Sequence, residues 1–246
     1  MVEVLLRKLG HGARLSAEEE DAVAAAVAHV RDIPAHQDLI QEGDTPAAVH
    51  AVLVGFACRY KMLPDGGRQI MAWLVPGDFC DLHVSILGKM DHSIGTLTDS
   101  RIARIPRTTA EALSLQRPML TRAFWWATLV DEGVLREWLV NMGRRPASKR
   151  IAHLFCELQA RLHAVGLADD GVMDLPITQA DLADTVGLTA VHVNRVLQWL
   201  KEAGLASWKN GVLKIEDTER LRAFAEFDAN YLHLDRAPPA PVRETI

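Results

Sequence analysis

The sequence predicts an α+β chain: a domain of short strands, then one long helix, then a helix-turn-helix carrying a β-hairpin. Three observations carry that reading. From about Asp32 to Ile105 short apolar runs alternate with turn signals, at Gly43-Asp44, Gly55, Pro64-Asp65-Gly66-Gly67, Pro76-Gly77-Asp78 and Gly88. After Pro118 the apolar residues Leu120, Phe124, Ala127, Val130, Val134, Trp138 and Met142 recur at threes and fours. Thr178 to Leu200, TQADLADTVGLTAVHVNRVLQWL, places Gly187 where two short helices must turn.

In chain order, Ser16 to His29 opens with Ser16 as N-cap and Glu19 as its capping-box partner, so a helix precedes the strands. Val49–Val54, Phe56–Leu63, Gln69–Val75 and Ile102–Ile105 then read as strands of a compact sandwich or barrel. The stripe from Leu120 to Met142 predicts a long helix, packed either on its own barrel or against a second copy of itself. Trp125 and Trp126 lie off that stripe, so more than one face is expected to be buried. Gly143-Arg144-Arg145-Pro146 breaks the pattern, and Pro146 suits the first turn of a new helix.

Thr178 pairs with Asp181 as a cap for the first helix of the motif, and Thr189 caps the second. Leu182, Ala183, Val186, Val193, Val196, Leu197 and Leu200 face inward, with the small Ala183 allowing a close crossing. Ala190, Val191, His192, Asn194, Arg195 and Gln198 are left facing outward. Ala206–Lys209, Asn210-Gly211 and Val212–Ile215 then form a hairpin with a type I′ turn, which makes a wing beside the second helix. An ordinary helical hairpin would lack that wing.

Composition bounds the rest. With 246 residues, 49% hydrophobic and 24% charged, the chain can build one large or two ordinary cores. No apolar run is long enough for a signal peptide or a bilayer span, which leads to an expected cytoplasmic location. Cys58, Cys80 and Cys156 are too few for a four-cysteine iron–sulfur cluster within one chain and offer no C-x-x-C pair. The net charge of -5 does not favour a nucleic-acid partner, so only a local basic patch could serve one. Ser85, Ser93 and Cys80 sit in no nucleophile motif, and no enzyme is expected.

Over nearly its whole length the chain resembles the Crp/Fnr family of bacterial regulators. The resemblance rests on Gly187-Leu188-Thr189, Asn194-Arg195-Val196-Leu197, Arg150-Ile151-Ala152 and Pro76-Gly77-Asp78-Phe79. It implies a β-roll, cyclic-nucleotide-binding-like sensor domain over 1–117 and a dimerisation helix over 118–143. A winged helix-turn-helix DNA-binding domain would follow over 144–220, with a C-terminal helix and disordered tail over 221–246. It further implies a homodimer on a palindromic double-stranded DNA site, with half-sites about one helical turn apart. RNA polymerase is a candidate partner through the loop Ala168-Asp169-Asp170-Gly171. The expected DNA-contacting set is Thr178, Gln179, Thr189, Ala190, Val191, His192, Asn194, Arg195, Gln198 and Lys209.

Departures from the family's pattern are as informative. Cyclic-nucleotide-binding members hold the ribose with a Gly-Glu pair and the phosphate with an Arg-Ser or Arg-Thr pair. Here Leu82 replaces the carboxylate and His92 the arginine, beside Asp91. A titratable imidazole cannot match a guanidinium that is always charged, so cyclic AMP is not expected as effector. Val191 stands where many relatives carry a glutamate that accepts from cytosine, so the operator should differ from theirs. His83 and His92 leave open the alternative of a cupin-like metal-binding or haem-binding sensor whose helix-turn-helix serves protein interaction. The cupin His-x-His with a later Glu and His is absent, so the histidines read as lone residues and neither metal ligands nor a cofactor are expected.

Overall fold

The computed structural model describes residues 1–169 and 171–234, apart from the side chain of Ser85. The predicted tail from Ala237 to Ile246 and Asp170 of the predicted polymerase loop lie outside the described residues. Two helices open the chain: α1 (Val2–Gly12), absent from the sequence reading, and α2 (Ala17–Ala26). Leu5, Lys8, Leu9 and Gly12 are the buried side of α1. At Gly12 any Cβ would meet Trp126 Cβ at 2.7 Å, so glycine permits the close crossing with the long helix. The expected capping box of α2 is present, with Ser16 accepting from the Glu19 amide and Glu19 accepting from the Ser16 amide at 2.9 Å.

The β domain follows, built from β1 (Val30–Ile33), β2 (Asp38–Ile40), β3 (Ala48–Val54), β4 (Ala57–Met62) and β5 (Arg68–Leu74). It continues through a short helix α3 (Val84–Leu87), then β6 (Ser93–Thr96) and β7 (Ser100–Pro106). All pairings are antiparallel, in one sheet ordered β1-β7-β3 and another ordered β2-β6-β4-β5. Val49, Val52, Leu53, Ala57, Leu74, Ile94, Ile102 and Ile105 fill the space between them. The four expected strands match β3, β4, β5 and β7. The three missed strands are short, and β1 and β2 expose polar residues, so no alternation marked them.

Beyond the roll run α4 (Arg107–Gln116), α5 (Pro118–Arg144), α6 (Ala147–Ala164), β8 (Val172–Asp174), α7 (Gln179–Val186) and α8 (Ala190–Glu202). The chain continues through β9 (Ala206–Lys209), β10 (Val212–Ile215), α9 (Thr218–Ala225) and a 3-10 turn at Ala229–Leu232. The expected two-stranded wing gains a third strand, in the order β8-β10-β9. Asn210 and Gly211 both take positive φ, 53° and 74°, as a type I′ turn requires.

In the long helix the centre of the periodic stripe packs on the chain's own core, one of the two placements expected. Val130, Val134 and Trp138 are buried inside the chain's own core, at 3%, 4% and 8% exposure, among residues of β4, β5 and α6. The apolar face left in solvent is the other one, with Trp125 60% and Leu139 74% exposed. Both faces are apolar: of the periodic stripe Leu120, Phe124, Val130, Val134 and Trp138 are buried, while Met142 is exposed. Among the described residues no helix is long and apolar enough to cross a membrane.

Candidate nucleic-acid interface

The helix-turn-helix begins with a reciprocal cap. Thr178 Oγ1 accepts from the Asp181 amide at 3.1 Å, and Asp181 accepts from the Thr178 amide and hydroxyl at 3.1 and 2.6 Å. This satisfies donors that the first turn of α7 would otherwise leave orphaned. At the other end Gly187 adopts φ 65° and ψ 44°, and Arg150 Nη1 donates to the Val186 carbonyl at 2.7 Å. A Cβ on Gly187 would meet Met142 Cε at 2.9 Å, so the turn sits hard against the end of α5. Thr189 then caps α8 by accepting from the His192 amide.

Packing fixes which side of α8 is presented. Val193, Val196 and Leu200 are buried against Leu182, Ala183 and Val186 of α7, and Leu197 is half-buried. Spacing then forces Ala190, Val191, His192, Asn194, Arg195 and Gln198 outward, and all six are exposed. Among the described residues, the side chains of His192, Asn194, Arg195 and Gln198 have no hydrogen-bond or ion-pair partner, nor has Lys209 at the end of β9. Long donors held by a rigid helix and left unpaired are what base edges and phosphates require. Thr178 is exposed, but its hydroxyl is engaged in the cap; Gln179 is half-buried. Within α8 itself Arg195 and Lys201 stand against a single carboxylate, Glu202, although the whole chain carries a net charge of -5.

How this head is held is visible only in the fold. Three residues of β5 reach α7: Arg68 donates to Asp181 at 2.6 Å and Asp184 at 2.7 Å, Gln69 Nε2 donates to the Thr185 carbonyl at 3.2 Å, and Trp73 Nε1 donates to Thr185 Oγ1 at 2.8 Å. Behind them lies a buried ionic chain. Asp78, from the Pro-Gly-Asp turn of the roll, pairs with Lys8 of α1 at 3.0 Å and with Arg161 of α6 at 2.5 Å. Arg161 continues to Glu157 at 3.1 Å, whose other oxygen accepts from Trp138 Nε1 at 3.1 Å and Tyr231 at 2.8 Å. Burial alone would raise the Asp78 carboxyl, but Lys8 and Arg161 outweigh it and hold it at about 2. Glu157 is different. Burial pushes its carboxyl above the usual range despite Arg161 and its hydrogen bonds.

Comparison with known proteins agrees with this architecture. Residues 149–224 match the Crp-like helix-turn-helix domain, and residues 30–117 match the cyclic nucleotide-binding domain. The chain is 31% identical over 192 residues to the nitrogen fixation regulation protein FixK of Bradyrhizobium diazoefficiens, covering 77% of this chain and 78% of that protein. It is 29% identical over 192 residues to the transcriptional activator protein FnrL of Cereibacter sphaeroides, covering 76% of each. Among solved structures, FixK2 from Bradyrhizobium japonicum superposes with a TM-score of 0.72 at 25% identity, over 80% of this chain and 97% of that one.

Proposed function

This chain belongs to the Crp/Fnr family of DNA-binding transcription regulators, and from that premise we propose that it acts as a homodimer reading a palindromic site through α8. The observation that carries the reading is the unpaired, outward Arg195, nearly two turns past the Thr189 cap. A guanidinium there can donate two hydrogen bonds to O6 and N7 of one guanine. Thr189, Ala190, Val191, His192, Asn194 and Gln198 complete the reading face, Thr178 and Gln179 lie at the start of α7, and Lys209 meets a phosphate from the wing. The family is one of regulators rather than enzymes.

Support for the dimer comes from α5. Trp125, Thr128, Glu132, Leu135, Leu139 and Met142 are all exposed and follow a three-then-four spacing, the seam of a two-helix coiled coil. Two heads related by that seam would face successive major grooves. Asp169, bridged to Val172, marks the loop proposed to touch RNA polymerase; unchanged activation in Asp169→Ala with Asp170→Ala removes that role.

Base-by-base binding measurements test the central claim. Arg195→Ala should weaken operator binding and flatten preference at one symmetric pair of positions, a loss of about 1–3 kcal/mol of discrimination at each. Unchanged base preference would mean that Arg195 only positions the helix and that specificity comes from other residues or from DNA shape.

A further inference from the structure

The roll contains a pair of histidines that the reading head does not use. His83 precedes α3 and lines an apolar pocket of about 250 Å³ with Leu82, Ile86, Leu87, Phe124 and Trp125. His92 precedes β6 and is 8% exposed. Nine residues apart in the sequence, they are brought together by the fold, which sets their rings 5.5 Å apart. His92 Nδ1 lies 2.6 Å from a carboxylate oxygen of Asp91. An ionised carboxylate only accepts, so it takes the Nδ1 proton and leaves the lone pair on His92 Nε2. Among the described residues that Nε2 is buried without a hydrogen-bond partner, and so is the Nε2 of His83.

Two buried nitrogens without partners in one place call for a cause, because native interiors satisfy almost all such atoms. One donor atom from each of His83, Asp91 and His92 lies within 4.8 Å of the other two. We propose that His83 and His92 bind one divalent first-row transition-metal ion of the class that imidazole prefers, with Asp91 orienting His92 from behind. A carboxylate on the far nitrogen of a ligating histidine fixes its tautomer and strengthens it as a donor. Around the pair stand Arg59, neutralised by Asp131 at 2.8 Å, Lys61, paired with Glu42 at 2.8 Å, and the carboxylates Asp81 and Asp91. The thiols do not compete: burial pushes Cys58 and Cys156 up to about 12 and Cys80 well above its usual value.

The test uses the untagged full-length protein, stripped with chelator and titrated with Zn²⁺ by calorimetry and with Co²⁺ by absorption. One equivalent should bind per chain, with a cobalt spectrum lacking thiolate charge transfer. Asp91→Asn, whose side chain is 85% exposed and so tolerant of change, should weaken binding by about 10–100-fold. The double variant His83→Gln with His92→Gln should lose the equivalent while keeping its circular dichroism and its retention on DNA. No stoichiometric uptake by the wild type at micromolar free metal overturns the proposal, as does uptake that survives the double variant or a thiolate band. Because DNA retention is read on the same samples, failure here leaves the function of the reading head standing.

Discussion

The outward face of α8 and the joint behind α7 are opposites, both built from polar and charged side chains. On α8 the polar side chains are exposed and unpaired, awaiting a partner outside the chain. In the joint Asp78, Glu157 and Arg161 are at most 4% exposed, and each is paired within the chain. One region keeps its hydrogen-bonding capacity for recognition; the other uses all of it to set where recognition takes place. Changes in the first should therefore alter binding without unfolding the protein, and changes in the second should do the reverse.

The largest break in that contrast is expected at Asp78. Asp78→Ala leaves Lys8 and Arg161 buried without their carboxylate and should cost about 3–5 kcal/mol in chemical denaturation. The depressed Asp78 pKa also fixes a sign. Its contribution is full above the usual carboxylate value of 3.8 and is lost as pH falls through about 2.

His153, buried against Trp138, Phe227 and Tyr231, is held down to about 4, first by burial and then by Arg145. Its folded pKa lies below the unfolded 6.5, so stability present above pH 6.5 should be lost as pH falls toward about 4. Urea titrations across that range should show the slope in the wild type and a flatter one in His153→Gln.

A sharper version of the comparison lies within α5. Val134→Glu places a carboxylate in the core and should unfold the chain. Leu139→Glu, on the exposed face, should change the folding of each protomer by no more than about 0.5 kcal/mol while converting a dimer to monomers in sedimentation. Dimers that survive Leu139→Glu would move the seam elsewhere. In the wing, Lys209→Ala should weaken binding to all sequences alike and reduce the salt slope by about one. The smallest expected effect is none: cyclic AMP and cyclic GMP should give no binding heat at physiological concentrations if, as the family resemblance implies, Leu82 and His92 take the places of a carboxylate and a guanidinium.

The reading head was legible because its information is local. Thr178 with Asp181, Gly187, Thr189 and the three-four spacing to Leu200 all fall within one short stretch, and the Asn210-Gly211 turn specifies its own hairpin. The joint was not legible, since Asp78 and Arg161 are 83 residues apart and Arg68 and Asp181 are 113 apart. No spacing rule connects such pairs. What α5 packs against was not legible for a different reason: the helix carries apolar residues on two faces, and periodicity reports that a face is buried without saying by what. The histidine pair escaped because α3 lies between His83 and His92 and brings their rings together only in the fold.

Asp181 has a consequence for how the molecule comes apart. The same fully buried carboxylate starts α7 and receives Arg68 from the roll, so separating the two regions strands a charge inside the first helix of the motif. Sliding the roll a little way off offers no intermediate of comparable energy. The roll and the motif should therefore exchange their slowest amide hydrogens together, as one cooperative unit, and melt in a single transition rather than as two beads on a string.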